Sequence, residues 1–160
     1  MYSHNKFALF LHLVWATWDR EPSITPVVER AVFRTVEAVC RTEHCTVVAL
    51  NGVADHVHLL VSIPATTSVA DLVKHVKGAS ARYVNETLQP APAFRWQPVY
   101  GAFTVSRWDV TKIADYVRRQ KAHHAAGTLV AEYEAIAEET SPAADTVAEG
   151  PAAGPPSSAW

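Results

Sequence analysis

Apolar residues recur with two different periods along the chain, and these periods separate strands from helices. Residues 7–17 are a run of aromatic and branched apolar side chains, which is typical of a buried strand. From Val27 to about His44 the apolar positions recur every three or four residues, which predicts a first helix. Residues 46–50 and 56–63 are again strand-like, and the short turn-rich segment between them predicts an antiparallel hairpin.

A second helix and a fourth strand follow the hairpin. Ser68 and Asp71 resemble a capping box at a helix start, and an apolar stripe continues behind them to about Thr87. A proline-rich loop then leads to residues 99–105, which we expect to form a strand that contains Gly101. The elements predicted up to this point follow the order β-α-β-β-α-β.

A third amphipathic helix completes the predicted fold. Ser106 and Asp109 repeat the capping pattern, and we expect one unbroken helix from there to the stop at Gly127, with Tyr116 on its polar side. The order β-α-β-β-α-β with an additional C-terminal helix predicts an α+β fold of the ferredoxin-like or RRM-like type. In that fold two helices cover one face of an antiparallel sheet. The third helix, or a partner subunit's copy of it, is expected to dock on the other face.

Length and composition are those of one folded domain with a tail. The chain has 160 residues, of which 49% are hydrophobic, and this is enough for one core. We assign residues 1–130 to the domain and residues 131–160, which are acidic and rich in proline and alanine, to a largely disordered tail. No apolar run approaches the roughly 18 residues of a membrane span, and no cleavable signal is evident, so we expect a cytoplasmic protein.

Two histidines at alternate positions of the predicted third strand are the first candidates for chemistry. His56 and His58 point to the same face, about 7 Å apart, and Tyr116 and Gln120 share one face of the third helix. Two imidazoles and an amide oxygen form a site of low charge with open positions for phosphate oxygens, which suits Mg²⁺ or Mn²⁺. The spacing alone leaves two alternatives open: a zinc hydrolase that also uses Asp55, and a pair of core histidines bonded to the backbone.

Tyr116 is the tyrosine that has both a candidate ligand and basic residues as neighbours. A phenol has a pKa near 10 and is a poor nucleophile at neutral pH unless a nearby charge stabilises the phenolate or polarises the attacked phosphate. A divalent ion on the histidines would do the latter. Without the histidines, the simpler interpretation would be a surface tyrosine that covers the edge of the core.

Basic residues surround these candidates, although the whole chain has a net charge of -2. All 14 lysines and arginines precede residue 131, whereas six of the 16 acidic residues follow it, so the predicted domain itself is basic. Such a surface permits contact with phosphates without requiring it, since charges of this kind often form only a solvated helix face. The candidate phosphate ligands are Lys74, Lys77, Arg82, Arg118, Arg119 and Lys121.

Taken together, the motifs resemble those of the small single-tyrosine HUH transposases of bacterial insertion sequences, the insertion sequence 200/605 type, including the REP-associated tyrosine transposases. The resemblance covers about residues 7–124. It rests on His12-Leu13-Val14-Trp15, Ala54-Asp55-His56-Val57-His58-Leu59-Leu60-Val61, Val76-Lys77-Gly78 with Ser80 and Arg82, Tyr100-Gly101-Ala102-Phe103 with Val105-Ser106, and Tyr116-Val117-Arg118-Arg119-Gln120. No catalytic position departs from the family pattern.

The resemblance implies a metal-dependent strand transferase. In such an enzyme His56, His58 and Gln120 hold one divalent ion, Mg²⁺ or Mn²⁺. Tyr116 attacks a phosphodiester of single-stranded DNA and leaves a 5′-phosphotyrosine link and a free 3′-hydroxyl. The resemblance also implies a homodimer and recognition of imperfect hairpins at the ends of a mobile element. The alternatives are a domesticated relative that binds hairpin nucleic acid without cleaving it, and the zinc hydrolase.

Overall fold

The computed structural model describes residues 5–136, which form one four-stranded sheet with helices on both faces. The strands are β1 (Phe10–Ala16), β2 (Thr46–Gly52), β3 (His56–Ser62) and β4 (Gly101–Val105). Their order in the sheet is β2-β3-β1-β4, and each neighbouring pair is antiparallel. The predicted α+β fold of the ferredoxin-like type is confirmed.

Two helices connect the strands as predicted. They are α1 (Pro26–Thr42), between β1 and β2, and α2 (Val69–Leu88), between β3 and β4. The amide hydrogen of Asp71 is accepted by Oγ of Ser68 at 3.3 Å, which caps α2. The apolar periodicity therefore located both helices well, because each buries one continuous stripe.

The main core lies between α1, α2 and one face of the sheet. Alternate residues of the two central strands point into it, namely Leu11, Leu13 and Trp15 of β1 and Val57, Leu59 and Val61 of β3. The helices contribute Val32, Val36, Cys40, Leu72, Val76 and Val84. The strand residues between these, including His12 and His58, consequently face the other side of the sheet.

The predicted third helix is divided into α3 (Val110–Arg118) and α4 (Gln120–Ala126). At Arg119 the backbone leaves helical geometry, with φ -96° and ψ 13°, so the prediction of one unbroken helix was wrong. α3 packs on the sheet face opposite α1 and α2. Its apolar residues Ile113, Ala114 and Val117 form one cluster there with Ala49 and Leu60 of the sheet. The expected docking of this helix thus occurs within one chain.

The start of α3 also differs from the predicted capping box. Oγ of Ser106 accepts the amide hydrogen of Trp108 at 3.2 Å. The cap position is Asp109, whose side chain makes no capping hydrogen bond. Ser106 therefore closes a local turn ahead of the helix instead of capping it.

After α4 the chain turns back over the sheet face that α3 covers. Gly127 ends α4 with a φ of 67°, a left-handed conformation that favours glycine. A one-turn helix, α5 (Ala131–Glu134), follows. The sequence assigns α5 to the tail, and the rest of that tail, from residue 137 on, lies outside the described residues. Among the helices of residues 5–136, none is both long and apolar enough to cross a bilayer.

Candidate active site

The four residues predicted to form the catalytic site lie together on the sheet face that α3 covers. His56 and His58 come from β3, Tyr116 from α3, and Gln120 is the first residue of α4. His58 and Gln120 are fully buried, and the other two are nearly so. The strand alternation places both imidazoles on one face, as predicted, with ring centroids 5.1 Å apart.

A carboxylate to which no sequence motif pointed lies at the centre of this site. Glu134, the last residue of α5, places Oε2 3.0 Å from Nε2 of His56 and 3.2 Å from Nε2 of His58. Its Oε1 accepts hydrogen bonds from the hydroxyl of Tyr116 and, at 2.7 Å, from Nε2 of Gln120. One side chain therefore contacts all four predicted residues.

Glu134 is an anion at neutral pH. Burial alone would raise the pKa of its carboxyl group, but the contacts with the polar side chains around it outweigh burial and hold the pKa well below its usual range. His124 of α4 approaches the same carboxylate, with Nε2 3.6 Å from Oε2. The site thus contains a fixed negative charge among imidazoles.

Tyr116 is buried rather than exposed on the polar side of its helix, so that part of the prediction was wrong. Its ring stacks on His123 with centroids 4.6 Å apart, and Tyr133 packs edge-on at 4.9 Å. Its hydroxyl donates to Glu134 and accepts the amide hydrogen of Val130 at 3.1 Å. Burial and the hydrogen bond with Glu134 raise the pKa of Tyr116 to about 12, so the phenol is protonated at neutral pH.

Each histidine of the pair has a second partner that fixes the orientation of its ring. Nδ1 of His56 lies 2.6 Å from Oδ1 of Asp55, the carboxylate pairing that is common behind metal ligands. Nδ1 of His58 lies 2.9 Å from Nε2 of His12, and the two rings stack. When Nε2 of His58 acts as a ligand, its ring proton is on Nδ1 and His12 is the acceptor. Burial, followed by the proximity of His58, lowers the pKa of His12 to about 4, which keeps it neutral for this role.

We expect His12→Phe to weaken Mn²⁺ binding about tenfold or more, since phenylalanine keeps a ring in the stack but offers His58 no acceptor. His12→Gln keeps an acceptor oxygen on a side chain of similar reach and should lose less. Titrations followed by the EPR signal of free Mn²⁺ measure both affinities, and circular dichroism checks that the variants are folded. An unchanged affinity in His12→Phe would mean that His12 serves packing alone.

The donor groups present suit a divalent cation. Oε1 of Gln120 is a buried acceptor without a hydrogen-bond partner among residues 5–136, so it is free to bind a cation. His56, His124 and Glu134 also hold ligand atoms within 4.8 Å of one another. Imidazole, amide and carboxylate groups are ligands of Mg²⁺, Mn²⁺ and Zn²⁺. The residues therefore fit the divalent ion that the sequence predicts.

Half of the predicted phosphate ligands belong to α2, on the sheet face opposite this site. The ammonium group of Lys77 donates to the backbone carbonyls of residues 97–99 and so fixes the loop before β4. Arg82 pairs with Glu86 on the helix surface at 2.9 Å. Lys74 is exposed. Any DNA contact by these three residues would thus be made away from Tyr116.

The other half lies at the junction of α3 and α4, beside the site. Arg118 donates to the backbone carbonyl of Val48 at 3.3 Å, and Lys121 pairs with Glu29 at 2.8 Å. Arg119 is exposed and forms no side-chain hydrogen bond or ion pair within the described part of the chain. It is the residue of this group whose charge is best placed for a new partner.

A cleft of about 300 Å³ opens beside the site, between β4 and α3. Among its lining residues are His12, Phe103, Ser106, Lys112 and Tyr133. The next two residues after Ser106 are Arg107, whose guanidinium lies 4.1 Å from the ring centroid of Trp108, and Trp108 itself, which is 79% exposed. An exposed aromatic ring beside a basic side chain is suited to stacking on an unpaired base.

The sequence of the chain is similar to that of one known protein family. The family described as "Transposase IS200 like" matches residues 5–120. The ISDra2 transposase TnpA of Deinococcus radiodurans is 28% identical over 121 residues, which covers 71% of this chain and 85% of the relative. The transposase for insertion sequence element IS200 of Salmonella typhimurium is 26% identical over 123 residues, which covers 74% of this chain and 80% of the relative.

Solved structures show the same fold. A candidate transposase from Deinococcus radiodurans R1 is 28% identical, with a TM-score of 0.58, over 75% of this chain and 98% of that protein. A REP-associated tyrosine transposase bound to a REP hairpin has a TM-score of 0.59 over 78% of this chain and 74% of that protein. Its identity is only 12%, so this second likeness concerns the fold alone.

Proposed function

Because the chain belongs to the IS200-like transposase family, we propose that it is a metal-dependent transposase of single-stranded DNA with Tyr116 as its nucleophile. One observation carries this proposal. The hydroxyl of Tyr116, the Nε2 atoms of His56 and His58 and the amide of Gln120 all converge on one anionic group, the carboxylate of Glu134. A phosphate of the substrate is an anion of similar kind, so a site that collects these groups is suited to bind it.

The proposed reaction is a transesterification. The phenolic oxygen of Tyr116 attacks the phosphorus of a phosphodiester, a new oxygen–phosphorus bond forms, and the bond from phosphorus to the 3′ oxygen breaks. One proton passes from the phenol to the leaving 3′ oxygen, so the products are a 5′-phosphotyrosine link and a free 3′-hydroxyl. Attack by another 3′-hydroxyl on the phosphotyrosine reverses these changes and joins a new strand. The exchange needs no external energy source, because one phosphodiester is replaced by another.

His56, His58 and Gln120 are the residues that would hold the divalent ion in this proposal. When bound, Mg²⁺ or Mn²⁺ supplies positive charge that polarises the phosphate oxygens. The buried, unpartnered Oε1 of Gln120 supports its role as a ligand. Asp55 and His12 act behind the two imidazoles and fix their orientation.

The predicted substrate is a single strand that carries imperfect hairpins. The REP-associated tyrosine transposase that shares the fold was solved with a REP hairpin, and a hairpin is the substrate class we propose here. Arg118, Arg119 and Lys121 lie on the side of the site and are the first phosphate ligands to test. The homodimer implied by the resemblance stays a prediction. The proposed catalytic groups already meet within one chain, so a partner subunit is not needed to bring them together.

A labelled DNA strand tests this function directly. Purified protein is mixed with Mg²⁺ or Mn²⁺ and with labelled single strands that cover the DNA on each side of its gene. We expect a protein–DNA band that resists denaturant and disappears when a chelator is added. A hairpin-dependent gel shift without such a band would favour the alternative, a relative that binds without cleaving.

A zinc hydrolase is the second candidate, and a specific observation favours it. His56, His124 and Glu134 form a set of two histidines and one carboxylate, which is found in catalytic zinc sites. This candidate requires tight zinc binding, no affinity for DNA and no dependence on Tyr116. Metal analysis of the purified protein, together with the strand-binding assay, separates it from the transposase.

A further inference from the structure

The segment that follows α4 is held over the site by contacts along its length. Oγ1 of Thr128 lies 2.9 Å from Nδ1 of His123, and the amide of Val130 donates to the hydroxyl of Tyr116 at 3.1 Å. The ring of Tyr133 then packs edge-on against Tyr116, with centroids 4.9 Å apart. These contacts hold the segment that carries Glu134, so the position of Glu134 does not depend on the contacts of its own side chain alone.

The sheet edge has room for this segment because residue 101 is glycine. A Cβ built at position 101 would overlap the backbone carbonyl oxygen of Ala135, the residue after Glu134. It would also lie 2.9 Å from the ring of Phe103, whose side chain can rotate away. A larger residue at position 101 would thus push residues 131–136 away from β4.

The two contacts of the His56 ring indicate that positive charge belongs between its Nε2 atom and Glu134. A neutral imidazole carries one N–H group. The short contact of Nδ1 with Asp55 places that hydrogen on Nδ1. Nε2 then presents a lone pair to Oε2 of Glu134 at 3.0 Å, and two lone pairs at that distance repel each other. A divalent ion bound by both atoms, or a second ring proton, removes the repulsion.

The separation of the two atoms also suits shared ligation. Ligand atoms at right angles on an ion with bonds of about 2.1 Å lie about 3 Å apart. Oε2 of Glu134 is 3.0 Å from Nε2 of His56 and 3.2 Å from Nε2 of His58. His124 adds a third nitrogen near the same oxygen, at 3.6 Å.

Glu134 also occupies the space that the proposed reaction requires. The attacking oxygen and the phosphorus must approach to about 3–3.5 Å, while the phosphate oxygens lie beside the residues that would hold the divalent ion. Glu134 places one oxygen against the hydroxyl of Tyr116 and the other against the two imidazoles. The carboxylate therefore lies where the phosphodiester must lie, and the two cannot be bound together.

Building on the proposed function, we propose that Glu134 is a ligand of the divalent ion in the DNA-free protein and that the scissile phosphate replaces it. His56, His58 and His124, whose ring nitrogens lie nearest the same carboxylate oxygen, are the other ligands of this resting state. The exchange substitutes one anionic oxygen for another, so no covalent bond changes. Residues 128–136 move off the site in the same step, which releases the hydroxyl of Tyr116.

A general base is the other role that a carboxylate bonded to a nucleophilic hydroxyl suggests. The phosphorus must lie between the hydroxyl of Tyr116 and the proposed metal ligands. A general base for this reaction therefore has to contact the hydroxyl from outside that space. Glu134 spans this space from Tyr116 to His56 and His58. The geometry therefore favours replacement by the phosphate, and the experiment below separates the two roles.

Mn²⁺ titration of the DNA-free, full-length protein tests the ligand role without using the transposase reaction. Glu134→Gln keeps the shape of the side chain and removes its charge. We expect its dissociation constant for Mn²⁺, followed by EPR, to rise at least about tenfold over wild type. Glu132→Gln is the matched control, because Glu132 lies on the same short helix, loses the same charge and is exposed. Equal affinities in the two variants would overturn the proposal.

The replacement by phosphate is tested at saturating Mn²⁺ with a labelled single strand. Glu134→Gln is expected to bind the strand more tightly in fluorescence anisotropy, and to form the denaturant-resistant adduct faster, than Glu132→Gln. Slower adduct formation would overturn the proposal and favour a general base. If even wild type forms no adduct, the proposed function fails, whereas the Mn²⁺ titration and the strand binding still decide the role of Glu134.

Gly101→Ala displaces the same segment without altering any residue of the site. It is expected to lower the Mn²⁺ affinity of the DNA-free protein and to speed adduct formation, as Glu134→Gln does. Circular dichroism confirms that the variant is folded. Wild-type values in both assays, from a folded Gly101→Ala protein, would contradict the idea that the packing of residues 131–136 holds Glu134 in the site.

Discussion

Tyr116→Phe is expected to abolish covalent attachment of the protein to single-stranded DNA while strand binding is retained. The substitution removes one oxygen atom, the proposed nucleophile. The ring keeps its stacking on His123 and its contact with Tyr133, since neither depends on the hydroxyl. Because the lost group is the attacking atom itself, the adduct should fall below detection rather than decrease by a partial factor.

Denaturing gels with labelled strands measure this adduct, and fluorescence anisotropy measures strand binding. Tyr83→Phe is the matched control. Tyr83 lies on α2, 39% exposed and on the opposite face of the sheet, so the same loss of an oxygen there should leave the adduct yield unchanged. An adduct that persists in Tyr116→Phe would remove Tyr116 from the mechanism.

The state of Tyr116 in the DNA-free protein agrees with the proposed replacement of Glu134. Burial and the hydrogen bond with this carboxylate raise the pKa of Tyr116 to about 12. The phenol is therefore a weak nucleophile while Glu134 is present. Departure of the carboxylate removes one of the groups that disfavour the phenolate, and the phosphate that replaces it is the group to be attacked. One exchange thus prepares both reactants.

The sheet and its two covering helices were predictable from the sequence because their signals are local. The apolar stripe of α1 and the Ser68 cap of α2 fix both helices within a few residues. The alternation of β3 places His56 and His58 on one face, as observed. Each of these features depends on residues close in sequence, which is where periodicity carries information.

The break between α3 and α4 was not predictable in the same way. Arg119 leaves helical geometry without a glycine or proline, and its amide donates to the carbonyls of Asp115 and Tyr116. Arginine is a good helix former, so propensity favours continuation here. Tertiary contacts decide instead: Tyr116 and Gln120, on either side of the break, both reach Glu134.

The inward direction of Tyr116 was hidden for a related reason. Amphipathicity assigns a tyrosine among lysines and arginines to the exposed side of a helix. The chain that buries it arrives after the turn at Gly127, from a segment whose composition resembles the tail. His12 did carry a usable signal, because a histidine within an apolar strand requires a polar partner when buried. That partner is His58.

His58→Ala is expected to weaken both metal binding and adduct formation, each by at least about a hundredfold. Loss of a residue that only supports a metal ligand costs up to about a hundredfold, and loss of the ligand itself should cost at least as much. His58 is fully buried, and it contacts both Glu134 and His12. Alanine removes the nitrogen that we propose as a metal ligand and leaves His12 without the ring that it contacts. The two losses should be coupled, because in the proposed mechanism the ion that His58 helps to hold also polarises the phosphate.

Mn²⁺ titration of the DNA-free protein and the adduct assay measure the two losses separately. His75→Ala is the matched control, since His75 is an exposed histidine of α2 that pairs with Glu43 at 2.6 Å. His75→Ala should change neither the Mn²⁺ affinity nor the adduct yield. Circular dichroism checks that His58→Ala is folded at the assay temperature. Adduct formation that survives in His58→Ala, or in wild type with chelator, would separate the chemistry from the metal. Tyr116 would then need another group to polarise the phosphate, and Arg119 is an exposed cation beside it whose side chain forms no hydrogen bond or ion pair among residues 5–136.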